Sequence, residues 1–287
     1  MLKLTKKQMA LFEKFKDTLG IPKTGVPQYS GVRDDITLFR FLSGKQWVVK
    51  DALKQYRAMV KWRKEAKIDE LGEWEKKNED RIQLSKRLYP SAFCGDDKYG
   101  RPVVITRMGK TPIKEFVETY TIEEWHMQHN WRMEKTIELL RKRSIALKKP
   151  ITQLIVIVDM EGIGFSYRHM MPYMQATSGV DKQNYPEIVG NIFAINTPWI
   201  VPIIFKVLSP FIDPRTKEKI IVSSSVDPKV MEIVGESVMP VAYGGKSTMK
   251  LPGGDAKESP EGKYEEDAKG DDLAVDQSVA ASSTYTF

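Results

Sequence analysis

An α/β fold preceded by a helical lobe is the architecture this sequence predicts, and three observations predict it. Gln153 to Val158 (QLIVIV) is a continuous apolar run, the mark of a strand covered on both faces in a parallel sheet. From about residue 85 onward, strand-like and helix-like segments alternate, as they do in layered α/β domains. Before that point, apolar residues recur at helical spacing.

The elements follow in order. Thr5 to Leu19 reads as a helix with Met9, Phe12, Phe15 and Leu19 on one side, and Gly20, Pro22, Gly25 and Pro27 form a loop after it. Asp34 or Asp35 can cap a second helix carrying Leu38, Phe41 and Leu42 and ending at Gly44. A third runs from Val48 to about Ala66, with Leu53, Tyr56 and Val60 at helical spacing. Turn residues cluster at Gly95–Pro102, and Val103-Val104-Ile105 follows as a strand. Thr121-Ile122-Glu123-Glu124 is a capping box that opens a long helix reaching about Leu147. Asp159-Met160-Glu161-Gly162 ends the QLIVIV strand, and a helix is expected near Tyr167–Thr177. A strand at Asn191–Asn196, a turn at Thr197-Pro198, an apolar helix and a last strand at Lys219–Ser223 complete the series.

Ile188 to Phe205 holds no formal charge over eighteen residues, in a chain of net charge +7. That length permits a membrane span. Asn191, Asn196 and Thr197 are polar, however, and Pro198 and Pro202 interrupt a continuous helix, leaving backbone groups that lipid could not satisfy. The helix after the turn (Trp199, Ile200, Val201, Ile203, Ile204, Phe205, Val207, Leu208) is apolar on every side except at Lys206. Such a helix is either fully buried or has lipid on one side.

Composition sets the broad class. A 287-residue chain with 41% hydrophobic and 29% charged residues is that of an ordinary soluble globular protein with ample core. The single cysteine, Cys94, excludes a disulfide framework and cysteine-rich zinc sites. The amino terminus has no apolar signal core, residue 2 is Leu2, and no prenylation cysteine ends the chain, so the expected location is the cytoplasm. From Pro252 onward, nine acidic residues face three lysines. This Gly/Ser/Ala-rich tail, expected to be disordered, carries −6 and the remainder +13. A basic body is drawn to anionic surfaces, with the tail a possible moderator. No nucleic-acid recognition motif is present.

Several catalytic patterns fail on inspection. Tyr243-Gly244-Gly245-Lys246-Ser247-Thr248 ends like a phosphate-binding loop, but Pro240 stands where the motif needs glycine, and Leu251-Pro252-Gly253-Gly254 forbids the following helix. There is no G-x-S-x-G nucleophile elbow. His126 and His129 lie one helical turn apart without a cysteine partner, and only His169 stands elsewhere, so no metal site is expected. Asp159 and Glu161 occupy the carboxyl end of a strand, where α/β enzymes keep catalytic groups, yet capping and turn roles explain them equally.

Eight landmarks occur in order over about residues 1–250. They are Asp34-Asp35 with Leu38-Phe39-Arg40-Phe41-Leu42; Ala52-Leu53 with Lys61-Trp62-Arg63; Asp97-Lys98-Tyr99-Gly100-Arg101-Pro102-Val103; Asp159-Met160-Glu161-Gly162; Asn184-Tyr185-Pro186-Glu187; Asn196-Thr197-Pro198-Trp199; Pro210-Phe211-Ile212-Asp213-Pro214 with Thr216 and Lys219-Ile220; and Tyr243-Gly244-Gly245. In this series the chain resembles the CRAL-TRIO lipid-binding family. The resemblance implies a helical lobe (1–84), an α/β lobe (85–251) and the tail (252–287). In the second lobe a mixed, largely parallel sheet would floor an apolar lipid pocket closed by a gate helix.

It also implies site residues. Thr216 and Lys219 match the family positions that contact a phosphatidylinositol phosphate, and Lys45 stands where the family's yeast transfer protein has arginine. Glu187 and Asp159 match acids near the inositol ring and the pocket. Trp199, Ile200, Ile203, Ile204, Phe205, Val207, Leu208 and Phe211 would form the gate and acyl-chain contacts. Leu139, Leu154 and Val156 stand where the family's choline-headgroup hydroxyls occur, which disfavours phosphatidylcholine and favours a more apolar second cargo such as a sterol. The expected function is non-catalytic exchange of single lipids between anionic membranes, with phosphatidylinositol as ligand, no cofactor, and phosphoinositide kinases as downstream partners. An adaptor working through protein partners such as small GTPases, or a carrier of another hydrophobic ligand, stays open as an alternative.

Overall fold

The computed structural model describes residues 2–21 and 32–253. The expected loop residues Pro22, Gly25 and Pro27 and the acidic stretch from residue 254 lie outside the described residues.

Three helices, α1 (Lys6–Thr18), α2 (Asp35–Gly44) and α3 (Val49–Glu65), open the chain. Thr5 caps α1 through a reciprocal box with Gln8, and the Asp34 carboxylate accepts from the Thr37 amide to start α2. Phe12, Phe15, Leu38, Phe41, Leu42, Ala52, Tyr56 and Met59 bury their apolar faces in one cluster among these helices. Two short helices absent from the expectation, α4 (Leu71–Lys77) and α5 (Glu79–Leu88), follow. The expected lobe boundary after residue 84 falls inside α5, and the chain turns from helix to sheet at Tyr89-Pro90.

Strands β1 (Ser91–Asp96) and β2 (Pro102–Arg107) form a hairpin around the Asp97–Arg101 turn. Asp97 anchors that turn by accepting from the amides of Tyr99 and Arg101. Helix α6 (Ile113–Thr119) leads to α7 (Ile122–Ala146), capped by the Thr121/Glu124 box. Then come β3 (Leu154–Asp159), α8 (Met171–Asn184), β4 (Val189–Ile195), α9 (Val201–Leu208), α10 (Pro214–Lys217), β5 (Ile220–Val222) and α11 (Pro228–Val234). Helix α8 starts four residues later than expected, because Phe165–Met170 winds as a 3-10 turn before Pro172 enters the helix's first turn.

The sheet order is β1-β2-β3-β4-β5, with β1 antiparallel and the other neighbours parallel. Alternate β3 residues serve opposite faces. Ile155 and Ile157 join Val103, Ile105, Phe193 and Ile195 on a back face covered by Val230 and Val234 of α11. Val156 and Val158 look to the front, where Phe116, Tyr120, Trp125, Tyr167, Met170 and Tyr173 pack with Ile200 and Val201.

The helical lobe is tied to the sheet lobe by polar contacts. Arg63 donates to both Asp69 and Glu134, each at 2.7 Å, and Tyr185 donates to the same Glu134 carboxylate at 2.9 Å. Gln55 donates to the carbonyls of Lys182 and Gln183 at the end of α8. Arg40, almost wholly buried, donates to the Thr152 carbonyl. These links set the carboxyl end of α2 against the loop between α8 and β4.

Candidate functional site

At that contact the structure gathers charged groups from three distant segments. Helix α2 ends at Gly44, with the half-buried Lys45 as its C-cap and with Gln46 and Trp47 in the left-handed region. A Cβ on Gly44 would lie 3.3 Å from the Pro186 Cβ and 3.6 Å from the Glu187 Cγ, so this glycine permits the close approach. Glu187 itself holds a left-handed backbone (φ 57°), strained for a non-glycine residue, and its side chain is only 9% exposed. Its two carboxylate oxygens separate two cations. Oε1 faces the Arg215 Nε at 3.1 Å and Oε2 the Lys219 Nζ at 2.9 Å. Arg215 also donates to the Ser43 carbonyl in the last turn of α2, which accepts from the Gln46 amide as well.

Lys219 gives a second hydrogen to the Val189 carbonyl at 2.9 Å. An ammonium has three donors, so one is left for a ligand oxygen. Thr216 sits in α10, one turn before Lys219, and its carbonyl accepts from the Lys219 amide. Arg215 and Lys219 face a single carboxylate, so positive charge is in excess there, which suits a phosphodiester. The structure thus brings Glu187, Arg215 and Lys219 together, with Thr216 one turn before Lys219 and Lys45 next in the chain to Gly44, whose Cα side abuts Glu187. Sequence reasoning missed Arg215. The signal was the helix-capping run Asp213-Pro214-Arg215, in which Asp213 accepts from the Arg215 amide and fixes the start of α10.

Asp159 is not brought to this cluster. Lys219 lies level with Ile155, because its carbonyl accepts from the Ile192 amide and Asn191 pairs with Ile155. Asp159 is four residues further along β3, about 13 Å at about 3.3 Å per residue. There its carboxylate, 2% exposed, accepts from the Tyr243 hydroxyl at 2.7 Å, the Asn196 amide at 3.0 Å and the Glu161 backbone at 3.1 Å. The Arg107 guanidinium faces it at 3.6 Å. Burial, and after it the Asp159 carboxylate, raise the Tyr243 phenol above its ordinary value. This group lines a cavity of about 460 Å³ with Glu161 and Ser224, at the carboxyl end of the strands.

Helix α9 presents an unusual face. Val201 and Leu208 are buried, and Ile204 and Phe205 are half-buried, with Ile204 packed on the aromatic cluster. On the other side Trp199, Ile203, Val207 and Phe211 form a stripe at fourfold spacing, each between 41% and 71% exposed. Lys206 beside them is exposed. Leu154 packs with Leu140, Ile151, Tyr185 and Ile188, Val156 bridges that cluster and the aromatic one, and Leu139 is half-buried on α7. Ile200, Val201 and Ile204 pack against the aromatic side chains in front of the sheet. A groove of about 660 Å³ lies on the helical lobe, lined by Lys14, Lys50, Lys54 and Arg57 of α1 and α3. Among the described residues, no helix is long and apolar enough to cross a membrane, and no group of three His, Cys, Asp or Glu side chains could hold a metal ion.

Comparison with known proteins identifies the family and the fold. Residues 86–245 match the CRAL/TRIO domain. The "Phosphatidylinositol/phosphatidylcholine transfer protein SFH12" of Arabidopsis thaliana is 30% identical over 225 residues, which are 76% of this chain and 40% of that protein. The "SEC14 cytosolic factor" of Eremothecium gossypii is 30% identical over 220 residues, 75% of this chain and 70% of its own length. The chain therefore spans less than half the length of SFH12, but most of the Eremothecium gossypii protein. The solved structure "Crystal structure of Sfh5" superposes with a TM-score of 0.62 at 14% identity, covering 88% of this chain and 91% of that one, so the two share a fold. With its α/β lobe matched from residue 86 to 245 and a relative 30% identical across three quarters of its length, the chain belongs to the CRAL/TRIO domain family.

Proposed function

We propose that the protein binds phosphatidylinositol and exchanges single lipid molecules between membranes, as a carrier rather than a catalyst. The observation that carries this reading is the convergence of Arg215 and Lys219 on Glu187, beside the end of α2 that carries Lys45, with one Lys219 donor left over, in a fold whose α9 exposes an apolar stripe. Lys45 enters from the helical lobe (1–84), and the other residues belong to the α/β lobe (85–251).

A phospholipid's two acyl chains hold roughly 30 methylenes, at about 0.8 kcal/mol each if left in water. Extraction is then on the order of 25 kcal/mol uphill unless the chains pass directly into an apolar interior. Helix α9 acts as the gate. It enters the bilayer interface by its exposed stripe while Ile200, Val201 and Ile204 lift from the aromatic cluster and the acyl chains take their place. Lys206 keeps its ammonium at headgroup level on its flexible stem. The headgroup phosphate settles against Lys219, Thr216 and Lys45.

The aliphatic side chains of Leu154 and Val156 offer no hydroxyl to a second headgroup, so the alternative cargo is a more apolar lipid such as a sterol. The protein works at anionic membrane surfaces from the cytoplasm and presents phosphatidylinositol to lipid kinases. The test is transfer of labelled phosphatidylinositol between vesicles by the Lys45→Ala, Lys219→Ala double variant. Two charge-assisted contacts are lost, so transfer falls by roughly a hundredfold with folding intact. Transfer at the wild-type rate overturns the headgroup assignment.

A further inference from the structure

Among the described residues, the most exposed large apolar side chains are Trp199, 71% exposed, at the root of α9, and Phe165, 66% exposed, in the 3-10 turn Phe165–Met170. They touch edge to face, with ring centroids 5.8 Å apart. Aromatic rings so placed in water are costly unless something covers them. The turn that carries Phe165 is anchored firmly from beneath. Its Tyr167 and Met170 are almost wholly buried in the front cluster, as is Ile163 just before it. At its root, Gly109 approaches so closely that a Cβ would lie 1.8 Å from the Glu161 carbonyl oxygen. The turn thus exposes Phe165, Ser166, Arg168 and His169 while Tyr167 and Met170 root it in the core. Phe165 is held out by a fixed element, whereas Trp199 begins the element that must move.

From this we infer that the Phe165–Met170 turn is a second membrane-docking element, with Phe165 as a stationary anchor beside the gate and an anionic lipid bilayer as its occupant. The inference takes its occupant from the lipid-exchange reading and assigns a residue that reading does not use. Charge complementarity favours the bilayer. Arg168 is exposed in the same turn and Lys206 on α9, flanking the aromatic pair where lipid phosphates would lie, and the exposed acid at the root of the turn is Glu161. Aromatic rings favour this depth, with their bodies among the upper acyl carbons. The apolar stripe of α9 continues the surface through Ile203 and Val207. When α9 swings out, Trp199 leaves Phe165, and Phe165 keeps the protein seated while the pocket is open.

The test measures partition of the full chain onto phosphatidylcholine vesicles with and without phosphatidylserine, for wild type, Phe165→Ala and Phe165→Trp. Phe165→Ala should weaken partition roughly tenfold, with circular dichroism unchanged because the side chain is outside the core. Phe165→Trp should restore it, and brominated lipids should quench the new indole. Arg168→Glu should lower partition only where phosphatidylserine is present. If Phe165→Ala partitions within about twofold of wild type, the turn does not dock and the inference fails, the transfer reading being untouched provided wild type still moves lipid. Should Phe165→Ala lose partition while wild type transfers no lipid, the docking surface stands and the transfer reading falls. Vesicle binding insensitive to every Phe165 and Trp199 variant would assign this face to a protein partner and overturn the inference.

Discussion

On the back of the sheet, Ile105, Ile155, Ile157, Phe193 and Ile195 are shut away from water beneath α11. On the front, α9 buries one side on a cluster of aromatic rings and leaves Trp199, Ile203 and Val207 in solvent. Both faces use similar apolar chemistry, but only the back is sealed. The difference shows that burial contributes to stability on one side, while on the other apolar surface is kept where it can be covered later by something else. The rings on the front add polar tips to apolar bodies. Tyr173 donates to the Tyr120 carbonyl, whereas the buried Tyr167 hydroxyl has no hydrogen-bond partner among the described residues. Such a site is easier to reopen than a close-packed aliphatic layer.

Phe193→Ala on the back face should break the contrast most strongly. It removes a fully buried ring and should cost about 3–5 kcal/mol, read as a lower urea midpoint at unchanged slope. A loss below about 1 kcal/mol would mean that the back is no better packed than the front.

The next effect concerns the sealing itself. Cys94 packs against the back cluster, and burial pushes its thiol from 9.0 up to about 12. At pH 8 the folded protein should react with iodoacetamide roughly a thousandfold more slowly than the urea-unfolded chain. Above pH 9 the unfolded thiol ionises while the folded one stays neutral. Stability should therefore decline as pH rises from 9 toward 12, and be unaffected by this group below 9. Rapid alkylation of the folded chain would show that the face opens.

The smallest effect on folding belongs to the gate. Ile203→Ser should change stability by less than about 0.5 kcal/mol, because the side chain is already exposed, yet slow vesicle-to-vesicle lipid transfer roughly tenfold. Equal losses in both would make α9 an ordinary core helix.

Much of this was legible in the chain. The Thr121/Glu124 box placed one helix start, Asp34 or Asp35 another, and QLIVIV a central strand, since each signal acts over a few neighbours. An all-apolar helix after Thr197-Pro198 foretold α9, though not that half of its surface faces water. Strand β1 escaped because Ser91–Asp96 has no alternation and owes its form to pairing with β2. Helices α10 and α11 are too short for periodicity to show.

At the site, Lys45, Glu187 and Lys219 were named by resemblance, but what sets the end of α2 beside Glu187 is its tertiary docking onto the α8–β4 loop. Asp159 was misplaced for the same reason in reverse. Position along the chain says nothing about which end of a strand faces which lobe. Arg215 and Phe165 were hidden because a surface cation and an exposed ring look ordinary until their neighbours are known.

The account's central claim is that the front of the sheet accepts one phospholipid whose phosphate lies on Lys219 and Lys45. Native mass spectrometry of the protein after incubation with mixed phosphatidylinositol and phosphatidylcholine vesicles tests it most directly. The account predicts one added phosphatidylinositol mass per chain, absent from the Lys45→Ala, Lys219→Ala variant. A chain that stays free of lipid, or a double variant that carries the same phosphatidylinositol load, would contradict it.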